Sequence, residues 1–116
     1  MPKIYIITTT FDSIDTCKDF ANKLINQKLA ACCQIHKIDS IYLWKNNIAS
    51  ELEFQLICKT LKKDELVSFI KSSHPYDIPE IIIQEVKTSK EYFGFVKQAC
   101  SELKTQTLLD PETSSG

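Results

Sequence analysis

Ser40-Ile41-Tyr42-Leu43-Trp44-Lys45-Asn46-Asn47, followed closely by Glu51-Leu52-Glu53-Phe54-Gln55-Leu56-Ile57-Cys58-Lys59, reads as a β-hairpin. The first arm is aromatic and β-branched, the composition that suits a pleated strand. Its tip is Lys45-Asn46-Asn47, and asparagine tolerates the positive φ that a tight hairpin turn demands. The return arm alternates: Leu52, Phe54, Leu56 and Cys58 face one way, and Glu51, Glu53, Gln55 and Lys59 mostly the other.

Working outward from the hairpin, the first arm extends back to Ala31, giving a long strand over 31–44. Before it, Lys3–Thr9 is a β-branched and aromatic run that predicts a first strand. Asp12 or Ser13 offers an N-cap between them, and Ile14, Cys17, Ala21, Leu24 and Ile25 recur at helical spacing up to about Lys28. After the hairpin, Thr60 can cap a second helix whose buried stripe is Leu66, Val67, Phe69 and Ile70. Pro75 disfavours helical geometry at His74, so this helix ends near Ser73. His74-Pro75-Tyr76-Asp77-Ile78-Pro79 is a stiff connector into an apolar strand over 80–86. Thr88 with Glu91 has the form of a capping box and opens a last helix with Tyr92, Val96, Ala99 and Leu103 inward.

The resulting order is β-α-β-β-α-β-α. Its first six elements match the split βαβ, ferredoxin-like α+β arrangement, an antiparallel sheet with two helices on one face, followed here by an extra C-terminal helix. In such a domain the strands should alternate apolar and polar, because only one face is covered. Yet Ile4-Tyr5-Ile6-Ile7, Ile41-Tyr42-Leu43-Trp44 and Ile81-Ile82-Ile83 are apolar on both faces. A single short helix cannot shield a whole sheet, so these strands predict that another subunit covers the second face.

Composition sets the class. The 116 residues suffice for one core without disulfides or a structural metal, and 43% apolar with 25% charged residues is ordinary for a globular chain. The domain is expected over 1–103, with a polar tail over 104–116. Fourteen basic and fifteen acidic side chains leave a net charge of -1, which gives no general attraction to nucleic acid or an anionic membrane. No run approaches the roughly 18 apolar residues of a membrane span, and Ile4–Ile7 is too short for a signal-peptide core. The expected compartment is the cytoplasm. The five cysteines, Cys17, Cys32, Cys33, Cys58 and Cys100, are odd in number and show no C-x-x-C spacing. They are expected to be reduced thiols, mainly packing as small hydrophobes.

Several segments together resemble the CutA family, the divalent-cation tolerance proteins. Leu29-Ala30-Ala31-Cys32 resembles that family's L-A-A-C entry into the second strand. Ser40-Ile41-Tyr42-Leu43-Trp44 resembles its S-I-Y-x-W arm, and Ile57-Cys58-Lys59-Thr60 its I-x-K-T exit from the third strand. His74-Pro75-Tyr76-Asp77-Ile78-Pro79-Glu80-Ile81 resembles H-P-Y-E-x-P-E-I, and Glu91-Tyr92-Phe93 sits where the family has an aromatic pair. The chain departs from the pattern in three places. Asp77 stands for the usual Glu, Trp44-Lys45-Asn46-Asn47 replaces W-E-G-K at the tip, and threonines end the first strand where some relatives carry a copper-associated cysteine. The resemblance implies a homotrimer with packed sheets, its interface including Ile41, Tyr42, Leu43 and Trp44. It also implies a role in divalent-metal tolerance, copper above all, without an obligatory cofactor.

The candidate site residues carry competing readings. His74 is the candidate metal ligand, since imidazole suits copper or zinc and Tyr76, Asp77 and Glu80 could add oxygen ligands. It could equally cap the exposed carbonyls of the second helix. Trp44, Lys59, Tyr76, Asp77 and Glu80 are the expected lining of an intersubunit cleft. Cys32 and Cys33, as strand neighbours, point to opposite faces and cannot share one ion. His36 lies on a long strand without a spaced partner. With glycine only at Gly94 and Gly116 there is no glycine-rich phosphate loop, and no nucleophile motif is present, so an enzyme is not expected. Two functions remain: a trimeric, metal-responsive binding protein, or a trimeric signalling or scaffolding module that binds a small molecule or protein between subunits.

Overall fold

The computed structural model describes residues 1–101. The elements are β1 (Lys3–Phe11), α1 (Ile14–Asn26), β2 (Cys32–Trp44), β3 (Asn47–Thr60), α2 (Lys63–Ser73), β4 (Ile82–Lys87) and α3 (Lys90–Ala99). The strands form one sheet in the order β2-β3-β1-β4, and every neighbouring pair is antiparallel. This is the α+β order expected from the sequence. Leu103, assigned to the last helix, and the tail over 104–116 lie outside the described residues.

The main core lies between the sheet and the first two helices. Ile7, Phe11, Leu56 and Cys58 from β1 and β3 meet Cys17, Phe20, Ala21 and Leu24 of α1 and Leu66 and Ile70 of α2. Alternation along β1 turns Ile4 to the opposite face, where it packs with Val96 and Cys100 at α3. α3 therefore covers one end of the second face. No described helix is long and apolar enough to cross a membrane.

Several boundaries differ from the sequence reading. β1 runs on to Phe11, because Thr8, Thr9 and Thr10 stay paired with Ile57, Leu56 and Gln55. In α1, Ser13 is the cap, accepting from the Thr16 amide at 3.3 Å. Phe20 joins the core and Ile25 points outward. Thr60 does not cap α2. It remains in β3, where its hydroxyl donates to the Leu29 carbonyl at 2.6 Å and accepts from the Lys62 amide at 2.8 Å, while Lys62 takes the N-cap position. Ser89, not Thr88, caps α3, accepting from the Tyr92 amide at 3.1 Å. The Thr88 amide donates to the Pro2 carbonyl at 2.9 Å, which holds Thr88 beside the start of β1.

The hairpin closes through Lys45 and Asn46, with φ of 50° and 67°, the paired positive values of a type I′ turn. β1 accompanies β3 only as far as Phe54. Beyond it, from Ile38↔Glu53 to Trp44↔Asn47, β2 and β3 pair only with each other. The result is a two-stranded ribbon running past the sheet.

Candidate functional site

His74 follows the last residue of α2, and its amide closes that helix on the Ile70 carbonyl at 2.9 Å. The ring turns back onto β1 and stacks on Phe11, with centroids 4.4 Å apart and planes 12° from parallel. One ring nitrogen, Nδ1, accepts from the Tyr76 amide at 3.0 Å, and Nε2 lies 2.8 Å from the Thr10 carbonyl. A carbonyl cannot donate, so Nε2 carries the proton and the imidazole is the neutral tautomer. Burial lowers its pKa below the ordinary value and outweighs the opposing Thr10 carbonyl, Asp12 and Glu53. A metal ion here would have to displace one of these two bonds.

Tyr76 stands edge-on to His74 at 4.8 Å, and its hydroxyl donates to Glu53 Oε2 at 2.8 Å. Glu53 is only 8% exposed. By alternation it faces away from α1 and α2, so the connector after α2 reaches the second face of the sheet at the root of the ribbon. Burial, then the bond to Glu53 and its charge, raise the Tyr76 phenol well above its usual pKa, so it remains a donor. Further along the ribbon Tyr42 donates to Glu51 Oε1 at 2.7 Å, and that bond raises the Tyr42 pKa. Asp77 and Glu80 are exposed. Lys59 sits elsewhere: it pairs with Ile6 and Cys32, and its Nζ lies 5.8 Å over the Tyr92 ring.

Of the residues expected at a cleft, the fold thus brings Tyr76, Asp77 and Glu80 onto one connector beside His74. Trp44 is placed at the far tip of the ribbon and Lys59 toward α3. Among the described residues, no group of three or more His, Cys, Asp and Glu side chains is arranged to hold a metal ion. A surface hollow of about 300 Å³ between α2 and β4, lined by Lys63, Asp64, Val67, Ser68, Lys71 and Ile83, shares no residue with this cluster. The sequence reading placed Glu53 on the face opposite Leu52, Phe54, Leu56 and Cys58 but did not single it out as a site residue. Its one signal was position, a carboxylate on the face that the apolar strands leave to be covered.

The ribbon carries much of the exposed apolar surface. Ile41, Leu43, Trp44 and Ile48 are 72%, 69%, 56% and 80% exposed, and Ile82 and Ile83 of β4 are about half exposed.

Comparison with known proteins agrees with this geometry. Residues 5–99 match the family described as CutA1 divalent ion tolerance protein. A probable divalent-cation tolerance protein cutA homolog of Encephalitozoon cuniculi is 32% identical over 105 residues, covering 88% of this chain and 92% of that protein. The divalent-cation tolerance protein CutA of a Salmonella newport strain is 33% identical over 89 residues, covering 74% and 77%. The crystal structure of CutA1 from Ehrlichia chaffeensis superposes with a TM-score of 0.81 at 28% identity, over 87% of this chain and 98% of that one. CutA1 from Oryza sativa gives 0.79 at 32% identity, over 89% and 97%. The chain belongs to the CutA1 divalent ion tolerance protein family.

Proposed function

We propose that the protein works as a homotrimer that contributes to divalent-cation tolerance by binding its ligand in clefts between subunits. The observation that carries this reading is the ribbon over residues 38–53. An isolated two-stranded hairpin is marginally stable in water, and this one presents Ile41, Leu43, Trp44 and Ile48 to solvent in the single chain. A neighbouring subunit would bury them. Trp44 at the tip and the Tyr76–Glu80 connector at the root are far apart within one chain, so they meet in one cleft only when the ribbon lies across a second copy. Light scattering coupled to size exclusion should give three times the chain mass of 13.3 kDa. A stable monomer at micromolar concentration would overturn the assembly and the clefts with it.

Copper is the divalent ion the general affinity order favours, and the exposed carboxylates Asp77 and Glu80 are the oxygen donors a cleft would use. His74 would join them only by giving up its bond to Thr10 or to Tyr76. Chelator-stripped protein titrated with Cu²⁺ by calorimetry and electron paramagnetic resonance distinguishes the sources. Nitrogen hyperfine coupling that is lost in His74→Ala supports an imidazole ligand. Uptake unchanged in His74→Ala and abolished only in a cysteine-free variant would mean thiol chemistry. It would favour the second reading, a trimeric scaffold or signalling module for a small molecule or protein. The engagement of both His74 nitrogens within the chain is the observation on that side.

A further inference from the structure

The register of β2 and β3 sets Cys33 directly opposite Cys58. Both side chains face the main core: Cys58 is fully buried in it, and Cys33 packs against it while partly exposed. Their sulfurs lie 3.9 Å apart, in contact but unbonded. Directly opposed residues of an antiparallel pair have Cα atoms about 4.5–5.5 Å apart, inside the roughly 4.4–6.8 Å that disulfides span. Closing the gap to a bond of about 2.05 Å therefore asks for side-chain rotation and leaves the strands in place.

We infer that Cys33 and Cys58 form a reversible cross-strand dithiol–disulfide couple that reacts with a low-molecular-weight disulfide. Cys33 is the attacking group, being the partly exposed member of the pair. Its hydrogen bond with Cys58 draws its pKa down against the effect of burial, while that same bond and burial push Cys58 up. Ionised Cys33, its proton released to solvent, attacks one sulfur of the small disulfide. That S–S bond breaks, and one small thiolate leaves and takes up a proton. Cys58 then gives up its proton and attacks Cys33 Sγ in the mixed disulfide, and the second small thiolate leaves and is protonated. Two protein thiols are oxidised to one disulfide, and one small disulfide is reduced to two thiols; excess small thiol reverses both steps.

The other cysteines are placed differently. Cys17 is buried, and burial first, then Cys33, raise its thiol to about 11. Cys32 points to the opposite face and stands across from Lys59. Cys100 is buried at α3 with its sulfur 3.8 Å from the Thr60 hydroxyl. A bond between residues 33 and 58 would close the whole ribbon into one loop at its base, fixing the register of the element that the assembly uses.

The test is to equilibrate the folded protein with excess glutathione disulfide, denature it under acid quench, and alkylate the remaining thiols. Intact mass and peptide mapping should show free thiols falling from five to three, with the peptides of Cys33 and Cys58 joined. Reduced glutathione should restore all five. Cys32→Ser should still lose two thiols, and Cys33→Ser should form no intramolecular bond. In Cys58→Ala, glutathione should remain attached to Cys33. Five thiols surviving in folded wild type, glutathione held on Cys33 without resolution, or a bond mapped to any other pair would overturn the assignment.

Discussion

The imidazole of His74 is held neutral by accepting at Nδ1 and donating at Nε2. Its folded pKa lies below the ordinary 6.5 because burial disfavours the charged ring. In the unfolded chain the ring protonates near that ordinary value, so just below it the unfolded state binds more protons than the folded state. The stability due to this group is therefore complete above about pH 6.5 and declines as pH falls toward the folded value. Melting curves between pH 7.5 and 5 should show wild type losing more stability on acidification than His74→Gln, and a steeper loss in the variant would contradict the assignment. Thr9 poses the opposite problem: its hydroxyl is fully buried and has no hydrogen-bond partner among the described residues. Thr9→Val keeps the shape and removes the stranded group, so it should stabilise by about 1 kcal/mol in urea unfolding. A loss of stability would mean that the hydroxyl is satisfied.

At the scale of elements, the hairpin governs the rest. Lys45 and Asn46 both adopt the left-handed region, which costs a residue with a β-carbon roughly 1–2 kcal/mol and asparagine less. The replacement Lys45→Asn with Asn46→Gly supplies the residues that a type I′ turn prefers. It should raise the unfolding midpoint by the equivalent of about 1 kcal/mol, and an unchanged or lowered midpoint would show that the turn is not limiting. The two-residue turn also fixes every pair behind it. Counting back from Trp44↔Asn47 puts Glu53 opposite Ile38 and Cys33 opposite Cys58. The sequence reading took 45–47 as the tip and began the return strand at Glu51, so this register was not counted. Helix ends were legible to about two residues at α1 and α2, where α1 stops at Asn26 and Lys62 takes the cap read at Thr60, and Ser89 caps α3 one position after Thr88 because Thr88 is tied to Pro2.

For the molecule as a whole, the ribbon and β4 carry most of the large apolar side chains that the single chain leaves exposed. If a second subunit covers the tip, Trp44→Asp places a carboxylate against apolar surface. Loss of a buried aromatic anchor at an interface commonly costs on the order of 2 kcal/mol or more. The variant should sediment as a smaller species or melt well below wild type. Unchanged mass and melting temperature would show that Trp44 stays in solvent.

The sequence by itself determined the order of elements, the antiparallel sheet and the place of the hairpin, because these follow from local periodicity and turn chemistry. It also determined that helices cannot cover all of the sheet, since Ile41–Trp44 and Ile81–Ile83 are apolar on consecutive residues, hence on both faces. Only the tertiary structure decided what the candidate site side chains touch. His74 is separated from Thr10 by sixty-four residues, Tyr76 from Glu53 by twenty-three and Cys33 from Cys58 by twenty-five. Contacts at such separations are set by sheet order and by how the chain after α2 folds back over β1, and neither leaves a periodic trace in the residues themselves.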